Sequence, residues 1–108
     1  MINKKIMDIF KSLNIPCYYQ QCTDKKDYYV IFKVYNEQDV EVIDNKSVAT
    51  TYYITINYWY KKTCKDIEKY KLIKKEMKSN GFKFDGVTDL SGETHFGKNM
   101  DFIIKEWN

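Results

Sequence analysis

Hydrophobic and polar side chains alternate along residues 50–61, which read T-T-Y-Y-I-T-I-N-Y-W-Y-K. Because successive side chains of a strand point to opposite faces, the pattern predicts a strand with two distinct faces. The first face carries Tyr52, Ile54, Ile56, Tyr58 and Tyr60. The second face carries Thr51, Tyr53, Thr55, Asn57 and Trp59. The second face has aromatic rings and no charge, so we expect it to contact either a helix of the same chain or another protein.

Two elements are predicted before this strand. Apolar residues at helical spacing (Ile2, Ile6, Ile9, Phe10 and Leu13) predict an amphipathic helix over residues 2–13. The segment Asn14-Ile15-Pro16 ends this helix because the residue preceding a proline avoids helical angles. Residues 28–35 are β-branched and aromatic, with Lys33 the one charged side chain. They predict an interior strand that neighbours the aromatic strand.

The connection between these strands, residues 36–48, has two open interpretations. It is acidic at first and alternates through Asp39, Val40, Glu41 and Val42 before a polar turn at Asp44, Asn45 and Lys46. It is either a solvent-exposed continuation of the two strands or a mobile arm.

A second helix follows the aromatic strand. Thr63 and Asp66 have the spacing of a capping box, and Ile67, Tyr70, Ile73 and Met77 form an apolar stripe. Gly81 suits the left-handed position after a helix, where Phe82 can fold back onto the last turn. One face of this helix carries Lys71, Lys74, Lys75 and Lys78, which form either a solvated surface or a surface for phosphates.

Residues 83–90 and the apolar run 100–104 predict a C-terminal antiparallel hairpin around Ser91, Gly92 and Glu93. The predicted order is therefore α-β-β-α-β-β. It indicates a single α+β domain of residues 1–108, in which a mostly antiparallel four-stranded sheet packs against two helices.

Amino-acid composition narrows the possible functions and the cellular compartment. All 18 basic residues are lysine, and sequence-specific DNA readout relies heavily on arginine, so a role as a sequence-specific DNA binder is disfavoured. No apolar run approaches the roughly 20 residues of a bilayer span, and the N-terminus has no signal-peptide pattern. Three cysteines without a pairing pattern (Cys17, Cys22 and Cys64) fit a reducing compartment. We expect a cytoplasmic protein that does not bind a membrane.

Catalytic patterns are weak. His95 is predicted in a turn between Gly92 and Gly97 without a recognisable nucleophile, and the four glycines are assigned to turns. Three cysteines and His95 would supply four zinc ligands, but they lack the paired spacing of structural zinc sites. Asp85 and Asp89 are four residues apart in a predicted strand, about 13 Å, which is too far to act on one bond. We expect no enzyme activity, no cofactor and no metal.

The order of segments resembles prophage tail-completion proteins of low-GC Gram-positive bacteria. The matching segments are the turn at 44–46, the strand ending Tyr52–Lys62, the helix ending Met77–Phe82, and the segments Asp89-Leu90, Glu93-Thr94 and Phe96–Phe102. The first helix and Ile15-Pro16 also match, so the resemblance covers nearly the whole chain.

This resemblance implies a tail terminator or head-tail joining protein. Such a protein forms a ring, expected to contain six copies, that ends polymerisation of the tail tube and joins the tail to the head or neck. Its implied partners are itself, the tail tube protein and the head-neck connector, with at most non-specific passage of DNA. It would be found in the host cytoplasm during assembly and then at the tail-neck junction of the virion.

Three surfaces become candidates for these contacts. Tyr53, Asn57 and Trp59 are predicted to contact another subunit. Asp39, Val40, Glu41, Val42, Asp44 and Lys46 are predicted to face the tube or neck. Lys71, Lys74, Lys75 and Lys78 are predicted to face the channel or solvent. A small basic nucleic-acid-binding protein or a host-interacting regulatory phage protein is the alternative function.

Overall fold

The computed structural model describes residues 2–21, 26–44, 46–63 and 68–107, with the backbone alone at residues 41–43 and 47. In chain order these residues form helix α1 (Ile2–Ser12), strands β1 (Cys17–Tyr19), β2 (Tyr28–Ile43) and β3 (Lys46–Lys61), helix α2 (Lys69–Ser79), and strands β4 (Lys83–Ser91) and β5 (His95–Trp107). The chain is therefore a small α+β domain, as the sequence predicted.

The sheet has the order β1-β2-β3-β5-β4. Strand β1 pairs with β2 in parallel, and the other neighbouring strands are antiparallel. The prediction of four strands was wrong by one, because Cys17–Tyr19 forms a fifth strand beside Val30–Phe32. A three-residue strand is too short to show a hydrophobic period, and its partner is distant in sequence. The observed order is thus α-β-β-β-α-β-β.

Both helices end through the same backbone motif. After α2, the N–H of Phe82 donates to the carbonyl of Met77 at 3.1 Å, and the N–H of Gly81 donates to Lys78 at 3.1 Å. Gly81 has a φ of +91°, so this is the predicted glycine termination, and Phe82 is buried as expected.

The first helix ends through Asn14, which has a φ of +58°. The N–H of Ile15 donates to the carbonyl of Phe10 at 3.0 Å, and the N–H of Asn14 donates to Lys11 at 3.1 Å. Asparagine tolerates the left-handed conformation, so it ends the helix two residues ahead of Pro16. The sequence analysis had credited Pro16 with this role.

The start of α2 differs from its prediction. Glu68 occupies the N-cap position, and its side chain makes no capping hydrogen bond. Thr63 lies five residues earlier in an exposed turn, so it does not cap the helix that the structure describes. Asp66 and Ile67, the other predicted members of this helix start, lie outside the described residues.

The hydrophobic core lies on one face of the sheet. Ile54, Ile56 and Tyr58 of β3 are fully buried, and they belong to one cluster with Ile6 and Phe10 of α1 and with Ile73 and Met77 of α2. Phe32 of β2 and Met100 and Phe102 of β5 complete this layer. Both helices therefore cover the same face, which is the first face of the aromatic strand.

The opposite face, called the open face below, is the second face of the aromatic strand. Burial alternates strictly along β3 from Tyr53 to Tyr60, with buried residues on the helix side and half-buried residues on the open side. Among the described residues, no helix packs on the open face. The alternative of coverage by a helix of the same chain is thus wrong for the part of the chain that is described.

The connection between β2 and β3 is a continuation of the strands, which settles the two interpretations of residues 36–48. The strands pair from Tyr28 and Tyr60 out to Ile43 and Lys46, with a bulge at Tyr35. Strand β5 stops pairing with β3 at Ala49, so residues 40–44 and 46–48, called the hairpin end below, project as two strands. The longest dimension is 55 Å, against 23 and 22 Å for the others.

Candidate protein-binding surfaces

An aromatic cluster occupies one end of the open face. Trp59 of β3 lies between Tyr29 of β2 and Gly97 of β5. A Cβ atom at Gly97 would lie only 2.9 Å from Trp59 Cε3 and 3.1 Å from the carbonyl oxygen of Tyr58. The missing side chain therefore allows the indole of Trp59 to lie against β5. The assignment of Gly97 to a turn was wrong, because β5 begins at His95 and pairs with β3 along its whole length.

His95 supports this cluster. It is 5% exposed, its Nε2 lies 2.9 Å from the carbonyl oxygen of Lys26, and its Nδ1 lies 2.7 Å from Thr94 Oγ1. Since a carbonyl can only accept, Nε2 carries a proton and donates to it, and in the neutral ring Nδ1 then accepts from the Thr94 hydroxyl. The ring of Tyr29 packs edge-on against His95 at 5.6 Å. The Nε2 bond thus joins the start of β5 to the segment that precedes β2, while the Nδ1 bond to the adjacent Thr94 is local.

A shallow groove of about 250 Å³ lies beside Trp59. Its lining residues are Tyr29, Ile31, Trp59, Gly92, Glu93, Thr94 and His95. The lining combines aromatic and aliphatic side chains with polar ones, a mixture that also occurs in protein contact sites.

The centre of the open face is polar. Asn57 of β3 and Asn99 of β5 are directly opposite each other. The amide nitrogen of Asn99 donates to Asn57 Oδ1 and to Thr55 Oγ1, each at 2.6 Å. These bonds fix the orientation of the Asn57 amide, so the predicted contact residue Asn57 presents a defined polar group between two aromatic regions.

The second aromatic region surrounds Tyr53, which sequence reasoning had selected, and Tyr35, which it had missed. Their ring centroids are 6.1 Å apart, and Tyr35 is 47% exposed. Partial desolvation, then the negative charges of Asp101 and Asp85, raise the pKa of Tyr35 above its ordinary value. The bulge at Tyr35 places it beside Tyr53, and that contact requires knowledge of the strand register.

The structure therefore brings Tyr53, Asn57 and Trp59 onto one face, with Asn57 between the two aromatic residues. Trp107 adds a further exposed ring near the hairpin end, where it pairs with Ala49 and is 65% exposed. The sequence analysis did not select Trp107. In the last strand Trp107 lies on the same face as Asn99 and Asp101, because alternate residues of a strand share a face.

The predicted tube-facing or neck-facing residues lie on the outer part of β2 and at the hairpin end. Asp39 and Val40 lie in β2, and Thr50 Oγ1 donates to Asp39 Oδ1 at 3.4 Å. Asp44 and Lys46 flank the turn and are exposed, and Asp44 has a φ of +52°. Asn45 and the side chains of Glu41 and Val42 lie outside the described part of the structure.

The four predicted basic residues share the outer side of α2. Lys71, Lys75 and Lys78 are exposed, and Lys74 is half-buried with its Nζ 4.2 Å from the ring centroid of Phe84 in β4. Glu68 Oε2 lies 2.8 Å from Lys71 Nζ, and this hydrogen bond raises the pKa of Lys71. These four residues are called the lysine face below.

Of the four residues considered for zinc, Cys17 and His95 lie in the described part of the chain. There, no group of three or more His, Cys, Asp or Glu side chains is placed to hold a metal ion. Cys17 is half-buried, and burial raises the pKa of its thiol to about 12. Cys22 and Cys64 lie outside the described residues.

Neither described helix is long and apolar enough to cross a membrane. Comparison of the chain with protein-family models and with curated proteins gave no match.

Proposed function

We propose that this chain is a structural phage protein that forms a ring on the tail tube, ends tail polymerisation and joins the tail to the head or neck. The order of its sequence segments supports the family, and one structural observation supports the role in assembly. That observation is the open face, an aromatic sheet surface that no described helix of the chain covers.

The open face has the composition of a protein contact. Tyrosine and tryptophan contribute strongly to interfaces, because they bury a large area with few rotatable bonds and retain a polar group. Tyr53 and Trp59 are both half-buried within the single chain, so a partner can remove the rest of their surface from water. Asn57, held by Asn99 between them, would give the contact its register. In this proposal the open face is covered by another subunit of the assembly.

The elongated shape supports the same role. A compact chain of this length would have a radius of gyration of about 13 Å, whereas the observed value is 15.0 Å. The excess reflects the long hairpin of β2 and β3, whose two strands have 16 residues each. A projecting hairpin end can reach the tail tube or the neck from the body of a ring, which is the role proposed for Asp44 and Lys46.

A nucleic-acid-binding function is the second candidate, and the exposed lysine face favours it. Such a protein would bind single strands or duplexes through phosphates, without reading the bases. Its affinity for DNA would fall steeply with salt, whereas a tail-completion protein needs no measurable affinity for DNA.

The direct test is electron microscopy of particles produced after deletion of this gene from the phage or prophage that encodes it. We expect filled heads that are separate from tails. Tails of irregular or excessive length would establish termination, and separate tails of normal length would restrict the role to joining. Intact particles in normal numbers would refute the proposal. Complementation with the wild-type gene is the control.

A further inference from the structure

The outer edge of β2 is acidic and has no strand partner over most of its length. Strand β1 covers only Val30 to Phe32, where the N–H of Gln20 also donates to the carbonyl of Phe32 and the N–H of Val30 donates to the carbonyl of Pro16. Beyond Phe32, no described strand pairs with the outer side of β2. Glu37 and Asp39 are exposed on this stretch, which is called the acidic edge below.

The basic charge at the opposite edge of the sheet comes from α2, because β4 itself exposes one lysine, Lys83, and two aspartates, Asp85 and Asp89. Strand β4 is the last strand on that side, and no described strand pairs with its outer side. Helix α2 packs beside β4, as the contact between Lys74 and Phe84 shows. The lysine face therefore lies over the β4 edge.

The two charged groups also lie on the same side of the sheet. Glu37 and Asp39 pair with Tyr52 and Thr50 of β3. Tyr52 and Thr50 point to the same side of β3 as the buried Ile54, which is the side that the helices cover. Glu37 and Asp39 therefore point to that side too. The helix α2 lies on that side as well. If two copies were placed side by side with their sheets in line, the carboxylates of one copy would face the lysines of the next.

We propose that the acidic edge of one copy binds the lysine face of a second copy of this chain. This inference rests on the proposed function, because it supplies the lateral contact of the ring. The two surfaces differ, so the contact is head-to-tail, and its repetition by a fixed rotation closes a ring.

The charge pattern also disfavours the competing symmetric dimer. In a two-fold contact made edge to edge, an acidic edge would meet an acidic edge or a lysine face would meet a lysine face, and such like-charge contacts are unfavourable. Charged side chains and bulges on an edge strand also limit indiscriminate strand pairing. Both occur here, in Glu37, Asp39 and the bulge at Tyr35.

This lateral contact changes which partner each surface is expected to bind. Asp39 moves from the tube or neck to the neighbouring copy, and the lysine face binds protein instead of facing the channel. The open face stays exposed in this arrangement, so Tyr53, Asn57 and Trp59 are left to contact a subunit of the tail tube or neck.

The test is sedimentation velocity of the full-length chain and two charge-reversal variants over a range of concentrations and salt. The first variant is Glu37→Lys/Asp39→Lys, and the second is Lys74→Glu/Lys78→Glu. Each variant alone should self-associate at least about tenfold more weakly than the wild type, because the reversed side chains then meet side chains of the same charge. The wild-type association should weaken as salt increases.

A mixture of the two variants provides the decisive measurement. The first variant keeps its lysine face, and the second keeps its acidic edge. The reversed positions 37 and 39 of the first also carry charges opposite to the reversed positions 74 and 78 of the second, so both contacts between unlike copies are more favourable than those of either variant alone. An equimolar mixture should therefore recover assemblies of the wild-type size. Lys61→Glu/Lys62→Glu, at the end of β3 away from the hairpin end, carries the same change of charge as the second variant and should assemble like the wild type.

Several results would overturn the inference. They are a wild-type chain that stays monomeric at every concentration, variants that assemble as well as the wild type, or a mixture that does not recover. Loss of DNA binding in Lys74→Glu/Lys78→Glu with unchanged assembly would assign the lysine face to nucleic acid instead. None of these outcomes decides the proposed function, which the particles from the gene deletion test separately.

Discussion

The substitution Gly97→Ala tests the packing of the open face, because two physical effects predict opposite signs for it. Gly97 lies in β5 and is not among the residues with positive φ, so alanine can adopt its backbone conformation. In an uncrowded position of this kind, alanine stabilises a protein by about 0.4–1 kcal/mol, since it reduces the freedom of the unfolded chain. Here the added Cβ would lie 2.9 Å from Trp59 Cε3, 3.1 Å from the carbonyl oxygen of Tyr58 and 3.2 Å from the Cβ of Leu90.

The steric effect should exceed the entropic effect. Two of the three neighbours are a backbone oxygen and a Cβ, which cannot move without moving a strand, so the indole of Trp59 must shift. Overpacking of this kind costs about 1–3 kcal/mol. For a domain of this size, each kcal/mol lowers the melting temperature by about 4–8 °C. We therefore expect Gly97→Ala to be less stable than the wild type, with altered tryptophan fluorescence.

Urea unfolding of Gly97→Ala, Trp59→Phe and the double variant measures the effect and assigns its cause. Phenylalanine lacks the atoms of the indole that the new methyl group would meet, so the double variant should lose less stability than the sum of the single variants. Gly92→Ala is a control in which the new Cβ crowds Trp59 less, so it should lose less stability than Gly97→Ala. Its Cβ would lie 3.5 Å from the Trp59 ring and 3.2 Å from the carbonyl oxygen of His95. Stabilisation by Gly97→Ala would refute this account of the open face.

Two further predictions concern the helix end and the buried thiol. Gly81→Ala should destabilise the protein by about 1–2 kcal/mol in urea unfolding through backbone strain alone, because Gly81 has a φ of +91° and the new Cβ would have only Ile104 Cδ1 near it, at 3.9 Å. Gly81→Asn should lose less, and equal losses would argue against the strain. Burial raises the pKa of Cys17 to about 12 from 9.0, so its contribution to stability is complete below the unfolded pKa and is lost as pH rises towards the folded pKa. Between pH 8 and about pH 10.5, the wild type should therefore lose on the order of 1–2 kcal/mol more free energy of unfolding than Cys17→Ala does, and equal losses would contradict the burial of the thiol.

Features determined by local chemistry could be predicted from the sequence. The end of α2 required only Gly81 and Phe82, and the observed backbone bonds to Met77 and Lys78 are local. The alternation along the aromatic strand likewise separated its buried face from its open face, because a strand enforces that period.

Features determined by distant partners could not be predicted. The strand β1 exists because β2 provides its hydrogen bonds, and Gly97 was assigned to a turn because its crowding by Trp59 depends on the pairing of β3 with β5. The position of the acidic edge and of the lysine face at opposite edges of the sheet depends on the strand order. The sequence showed an uncharged aromatic face, but only the packing of both helices on the other side showed that the described chain leaves it uncovered.

The claim that the open face is an assembly surface is tested most directly by complementation of the gene deletion with Tyr53→Lys/Asn57→Lys. Lysine at these half-buried positions can extend into water in the free chain, but an interface would bury an unpaired charge, at a cost of about 3–5 kcal/mol. Leu72→Lys, at an apolar position of α2 that is 54% exposed, is the control. We predict that the folded double variant yields heads separate from tails, whereas the control yields intact particles. Intact particles with the double variant would contradict the claim.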